Sequence, residues 1–217
     1  MAQKSKNEIP KERLLDAAEA LFAQKGYHAV TVRELTTAAQ CNLAAVNYHF
    51  GNKKNLYVEV FRSRWVPRAQ RLQESFRQYL AGQDPSSLGA VVRALAQAFL
   101  EGPLSDEERQ RHAQLMTREM SQPTVAFDLV ANQVMRPFIK ELADRFRPFM
   151  PKELPEERLV LNIMSIIFMV IHFNFARAAV SQITGRKYNP PFKARLVEHI
   201  VQFSLKGVGM SEKEEYR

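Results

Sequence analysis

Apolar residues recur at helical spacing along nearly the whole chain, and no run keeps the two-residue alternation of a strand. That pattern commits the 217 residues to an all-α fold. Leu14, Leu15, Ala18, Leu21 and Phe22 make one stripe on a helix from Lys11 to Lys25, which Gly26 stops. Thr31-Val32-Arg33-Glu34 reads as a capping box, in which Thr31 accepts from a first-turn N–H and Glu34 reaches back to the cap. It opens a short helix with Val32, Leu35 and Ala39 inward. Gln40-Cys41 makes a tight break. Asn42 is the expected N-cap of a third helix with Leu43, Val46 and Phe50 inward. Gly51 ends it, and Asn52 caps a fourth helix carrying Leu56, Tyr57, Val60 and Phe61, which Pro67 interrupts or kinks.

The remaining elements are longer. Gly82 to Ser87 is a turn cluster, Leu88 to Leu100 an apolar helix, and Asp106, Glu107 and Glu108 supply the acidic first turn of another. Pro123-Thr124 separates that helix from one running through Phe149, and Pro151 to Pro155 is a loop. Pro155 stands at a first helical position, ahead of the apolar stretch Leu159 to Val180. That stretch is long enough to span a bilayer. Asn162, Ser165, His172, Asn174 and Arg177 interrupt it, which favours a helix buried in a bundle or a subunit interface. Gly185 to Pro191 breaks the chain again, Phe192 to Leu205 is the last helix, and a charged tail follows from Ser211.

Composition narrows the function. Only 8 glycines leave little material for phosphate-cradling loops, and the lone cysteine, Cys41, excludes an internal disulfide framework or a multi-cysteine zinc site. A reducing, cytoplasmic setting is expected, the opening Met1 to Glu12 being too polar for a secretory signal. No nucleophile sits in a recognisable elbow or triad, so neither an enzyme nor a cofactor is expected. His112 and Glu119 share a helix face but lack further ligands, so no metal site is expected either. Of the formal charge of +8, the first 70 residues carry +5, which suggests a polyanionic partner.

Three short helices with a tight break between the second and third form a helix-turn-helix. The third helix then offers Ala44, Ala45, Asn47 and Tyr48 outward. Small alanines let the backbone approach a major groove, Asn47 can pair with an adenine edge, and Tyr48 and His49 can donate to phosphates. Lys53 and Lys54 sit in the first turn of the fourth helix, where the dipole disfavours cations unless an anion binds there.

The stretch Tyr27 to Tyr57, YHAVTVRELTTAAQCNLAAVNYHFGNKKNLY, preceded by ALFAQKGY, resembles the DNA-binding signature of the TetR family of transcriptional regulators. The resemblance implies a homodimer with a small DNA-binding domain (residues 1–54) and a helical effector-binding and dimerisation domain (55–210), with residues 211–217 as a tail. It implies phosphate contacts at Thr31, Asn42, Lys53 and His49, and base-facing positions at Ala44, Ala45, Asn47 and Tyr48. Two departures stand out: Gln40 replaces the usual turn glycine, and Asn47 replaces a common aromatic residue. The stretch MTREMSQPTVAFDLV, followed by Met135-Arg136-Pro137, is similar to regulators with a CecR-type C-terminal domain, which implies control of transport, efflux or detoxification genes.

From these readings the expected partners are a near-palindromic duplex operator, a second copy of the chain through Glu156–Ser181 and Phe192–Leu205, and no membrane. A mainly apolar or aromatic effector is expected at His112, Met116, Glu119, Phe168 and His172. A buried Glu119 needs a partner, and Arg177, a histidine and the ligand are the candidates. Cys41 falls where a small apolar side chain usually packs. The alternative function is a non-inducible dimeric DNA-binding scaffold.

Overall fold

The computed structural model describes residues 8–83 and 87–209, and every regular element among them is helical. The charged tail 211–217, most of the polar opening segment and residues 84–86 of the turn cluster lie outside the described residues. In chain order the helices are α1 (Glu8–Lys25), α2 (Val32–Ala38), α3 (Ala45–Phe50), α4 (Lys53–Val60), α5 (Val66–Ala81) and α6 (Leu88–Leu100). There follow α7 (Asp106–Ser121), α8 (Val125–Val130), α9 (Arg136–Phe146), α10 (Glu156–Phe175), α11 (Arg177–Thr184) and α12 (Pro190–Gly207).

Local chemistry accounts for most of the boundaries. Thr31 closes the expected box: its Oγ1 accepts from the Glu34 N–H at 3.2 Å, and Glu34 accepts from the Thr31 N–H at 2.8 Å. Ser105 and Glu108 form a second box at the start of α7. Pro67 does not end its helix. A proline lacks an N–H and crowds the carbonyl four residues back. Here the chain absorbs the misfit in a π-helical turn, Phe61–Trp65, and continues as α5. A second π-helical turn, Ala131–Met135, stands in the same relation to Pro137. The apolar stretch behaves differently from the expectation of one helix to Ser181: it breaks at Ala176 (φ −85°, ψ 24°) into α10 and α11.

Packing divides the chain into two units: Met1–Ala69 with Leu104–Val134, and Gln70–Pro103 with Met135–Arg217. This differs from the division at residue 54. The π-helical turn after α4, together with α7 and α8, packs with the helix-turn-helix, because their apolar faces cover α1 and α4. The core of the first unit is built from Leu14, Phe22, Leu35, Val46, Leu56, Phe61 and Leu115. In the second unit α6 lies against α9, α10 and α12, and is apolar nearly all round. Leu159, Ile163, Ile166 and Val170 turn one face of α10 into this core. The opposite face leaves Leu161 (54%), Phe168, Ile171 and Phe175 (51%) exposed. α10 is also the one described helix long and apolar enough to cross a membrane, by length and composition.

Candidate nucleic-acid interface

The site starts with the ends of short helices. Gly26 takes φ 83° at the end of α1, and Lys25 reaches across to Glu34 at 2.7 Å. The hydrogen bond from Lys25, with those from Thr31, holds the Glu34 carboxyl down at about 2. α2 ends in a Schellman arrangement: the Cys41 N–H bonds the Thr36 carbonyl at 3.0 Å and the Gln40 N–H bonds that of Thr37 at 3.1 Å. The left-handed residue in that arrangement is Gln40, at φ 52°. The structure therefore keeps the turn geometry that a glycine favours and imposes it on a side chain that tolerates it less well. Cys41 beside it is half-buried. Burial pushes its thiol pKa up, against the opposing charge of Arg13, so it is not an activated thiolate.

The recognition helix differs in phase from the sequence reading. Residues 43–44 form a turn, and α3 begins only at Ala45. Asn42 gives no side-chain cap; its carbonyl instead accepts from the Ala45 N–H at 3.1 Å. The delayed start exchanges two positions. Leu43, expected inward, is 62% exposed, and Ala45, expected outward, is buried with Val46 and Phe50. The outward surface is thus Leu43, Ala44, Asn47 and Tyr48, the last 74% exposed. His49 is half-buried, its ring 4.8 Å from that of Tyr48.

α4 supplies the third helix start. Asn52 caps it by accepting from the Asn55 N–H at 2.8 Å. Lys53 is half-buried and donates to the carbonyls of Tyr27 (2.9 Å) and Val30 (2.8 Å), with its ammonium 4.4 Å from the Tyr27 ring centroid. Burial lowers its pKa. Two of the three ammonium N–H groups thus tie the turn between α1 and α2, a role the sequence did not signal. Lys54 beside it is exposed, as is Thr31 at the start of α2.

Two family profiles match this chain. Residues 14–60 match the bacterial regulatory proteins of the tetR family, and residues 86–208 match the C-terminal domain of the HTH-type transcriptional dual regulator CecR. The chain belongs to the TetR family and carries a CecR-type C-terminal domain. It is 26% identical over 204 residues to CecR of Shigella flexneri, covering 90% of this chain and 89% of that protein. It is 25% identical over 167 residues to the regulator AcrR of the same organism, covering 76% and 74%. Among solved structures, the fatty acid degradation regulator FadR of Bacillus halodurans shares the fold, with TM-score 0.62, 16% identity and coverage of 97% and 100%. A TetR-family regulator of Bordetella parapertussis gives TM-score 0.62 at 20% identity, covering 90% and 93%. The chain is accordingly a DNA-binding transcriptional regulator, of a family that acts on operators as dimers and is not enzymatic.

The residues expected to hold an effector in this TetR-family chain do not converge within either unit. His112, Met116 and Glu119 lie on α7 in the first unit; Phe168 and His172 lie exposed on α10 in the second. Glu119, 1% exposed, already has partners. It accepts from the Tyr57 hydroxyl at 2.6 Å, the Thr124 N–H at 2.9 Å and the Thr124 hydroxyl at 3.0 Å. The candidate partner Arg177 instead donates to Asn174 at 2.8 Å. His112 stacks on Trp65 with ring centroids 4.2 Å apart, and its carbonyl accepts from the Trp65 indole at 3.0 Å. An open cleft of about 630 Å³ does occur in the second unit, lined by residues of α5, among them Arg71, Glu74 and Tyr79, and by Glu101, Gly102 and Pro103. Sequence spacing gave no hint of it, because its walls come from separate elements.

Proposed function

We propose that the chain is a homodimeric repressor that holds a near-palindromic operator and releases it when a small effector binds. The observation that carries this reading is the outward surface of α3 and of the turn that leads into it, where Leu43, Ala44, Asn47 and Tyr48 stand clear of the core. The small side chain at Ala44 lets the start of α3 lie close to a major-groove floor. Leu43 and Ala44 suit a thymine methyl, and Asn47 an adenine edge. Thr31, Asn42, His49, Tyr48 and the paired Lys53 and Lys54 form the phosphate-facing rim. Transport, efflux or detoxification genes are the proposed targets, supported by the CecR-type C-terminal domain.

The effector is proposed to be a small apolar or aromatic molecule. With Glu119 engaged internally, the cleft beside Tyr79 and Pro103 is the better place for it, and its size is that of an ordinary ligand site. The same engagement of Glu119 favours a second reading, the non-inducible dimeric scaffold, since a buried polar group satisfied within the protein has no need of a ligand. A thermal-shift screen of apolar and aromatic compounds separates the two, because a ligand of the native state raises the melting temperature. Operator selection from random duplexes tests the DNA reading. Asn47→Ala is expected to relax preference at one or two base pairs by roughly 1–3 kcal/mol of discrimination. A variant that keeps the parent's base preference would remove Asn47 from the readout.

A further inference from the structure

We propose that Glu119 is a positioning residue for operator recognition, holding α4 through the Tyr57 hydroxyl so that α4 in turn fixes the start of α2. This rests on the helix-turn-helix reading of the DNA interface. It assigns to the segment Leu104–Val134, which falls inside the CecR-type C-terminal match, a part in DNA binding.

The anchoring is explicit. Arg118, next to Glu119 on α7, donates through Nε to the Ala23 carbonyl at 2.9 Å and through a second nitrogen to the Gln24 carbonyl, the last turn of α1. A Cβ on Gly26 would come within 3.1 Å of that guanidinium, so the glycine that stops α1 also makes room for the clamp. Arg111, two turns earlier on α7, pairs at 3.2 Å with buried Glu19 of α1, which Arg68 also binds. α7 is thus fixed along α1, and Glu119 presents its carboxyl group from a fixed base.

The transmission runs through α4. Tyr57 is 2% exposed, and its ring meets Phe22 of α1 edge-on at 4.9 Å. Burial, reinforced by the bond to Glu119, pushes its hydroxyl pKa far up, so it remains a proton donor throughout the physiological range. Lys53 lies four residues earlier, on the same face of the helix. Both contact Tyr27: its ring lies 4.9 Å from the Tyr57 ring and 4.4 Å from the Lys53 ammonium. Lys53 also holds the Val30 carbonyl at 2.8 Å, and the next residue is Thr31, the cap of α2. A continuous set of contacts therefore leads from Glu119 to the helix that precedes the recognition turn.

The test uses the full chain, with Tyr57→Phe, Glu119→Gln and the double variant. Each is assayed on a selected operator and on an unrelated duplex, well below its melting temperature. Each single variant is expected to lower operator affinity about tenfold while changing unrelated-duplex affinity less than twofold. The double variant should be no worse than the weaker single, because both remove one shared interaction. Emission of the single tryptophan, Trp65, buried against α7, monitors the fold. Tyr57→Phe deletes one oxygen and carries the test even where Glu119→Gln fails to fold. A merely structural role would lower both affinities together, in step with the folded fraction. That result, an unchanged operator-to-unrelated ratio, or additive losses in the double variant, overturns the proposal. Failure of the parent itself to select any operator would instead overturn the DNA-interface reading.

Discussion

Gln40 shows how a single residue departs from the local rule without abolishing the turn. It is the only described non-glycine residue at positive φ, and both backbone bonds of the Schellman arrangement form around it. An L side chain in the left-handed region costs about 1–2 kcal/mol, part of which a glycine gives back as lost chain entropy. Gln40→Gly is therefore expected to raise unfolding free energy by roughly 0.5–1 kcal/mol in urea denaturation. A less stable variant would mean that the glutamine side chain makes a contact worth more than the strain. Nearby, Glu34 links the same region to pH. Its carboxyl titrates at about 2 in the fold against an ordinary 4.5, chiefly through the hydrogen bond from Lys25. A depressed carboxyl stabilises the fold fully above its unfolded pKa and loses that contribution as pH falls toward the folded one. The stability difference between the parent and Glu34→Gln should therefore shrink between pH 4.5 and 2. A difference that stays flat through that window would remove the Glu34 cap from the acid response.

At the scale of elements, the first turn of α4 combines two tasks that mutation can separate. Lys53 ties the Tyr27 and Val30 carbonyls, while Lys54 beside it faces solvent. Lys53→Ala is expected to lower the melting temperature and to weaken binding to every duplex. Lys54→Ala is expected to leave melting alone and to reduce the salt slope of DNA binding by about 0.9, the loss of one phosphate contact. Unchanged melting in Lys53→Ala would refute the tie between α4 and the turn. The same elements show what could be read from sequence. The Thr31 box, the Asn52 cap and the stops at Gly26 and Gly51 were legible because cap and capped group lie within a few residues of one another. The phase of α3 was not. A turn at residues 43–44 carries no Gly or Pro, and because each residue turns a helix by about 100°, a late start moves Leu43 out and Ala45 in. The break at Ala176 has no glycine or proline either. The need for a partner at Glu119 could be seen from its place among apolar neighbours. Its identity could not, because Tyr57 stands 62 residues away and serves equally well as an apolar core position in a helical stripe.

For the whole molecule, the unresolved demand is the outer face of α10. A helix whose inner face is complete within its own unit still shows Leu161, Phe168, Ile171 and Phe175 to solvent, and Phe203 of α12 is exposed as well. Contiguous apolar surface of this kind marks an interface more often than a solvated face. Two-fold symmetry offers the simplest cover, since α10 and α12 of one protomer can meet the same pair of a second in a four-helix contact. The polar residues that argued against a bilayer fit this cover: Ser165 and His172 lie on the exposed side, where a protein interface can satisfy them. The chain should therefore be a dimer by sedimentation at micromolar concentration. Leu161→Arg places a charge on the exposed face without disturbing the core, so it should leave the melting of the isolated protomer nearly unchanged while shifting the protein to monomer. Operator affinity should fall with it, because two recognition helices joined in one particle bind the second half-site at the high effective concentration that linkage provides, and separate protomers do not. A parent that sediments as a monomer, or a Leu161→Arg variant that remains dimeric with parental operator affinity, would place the interface elsewhere and leave the apolar face of α10 to some other partner.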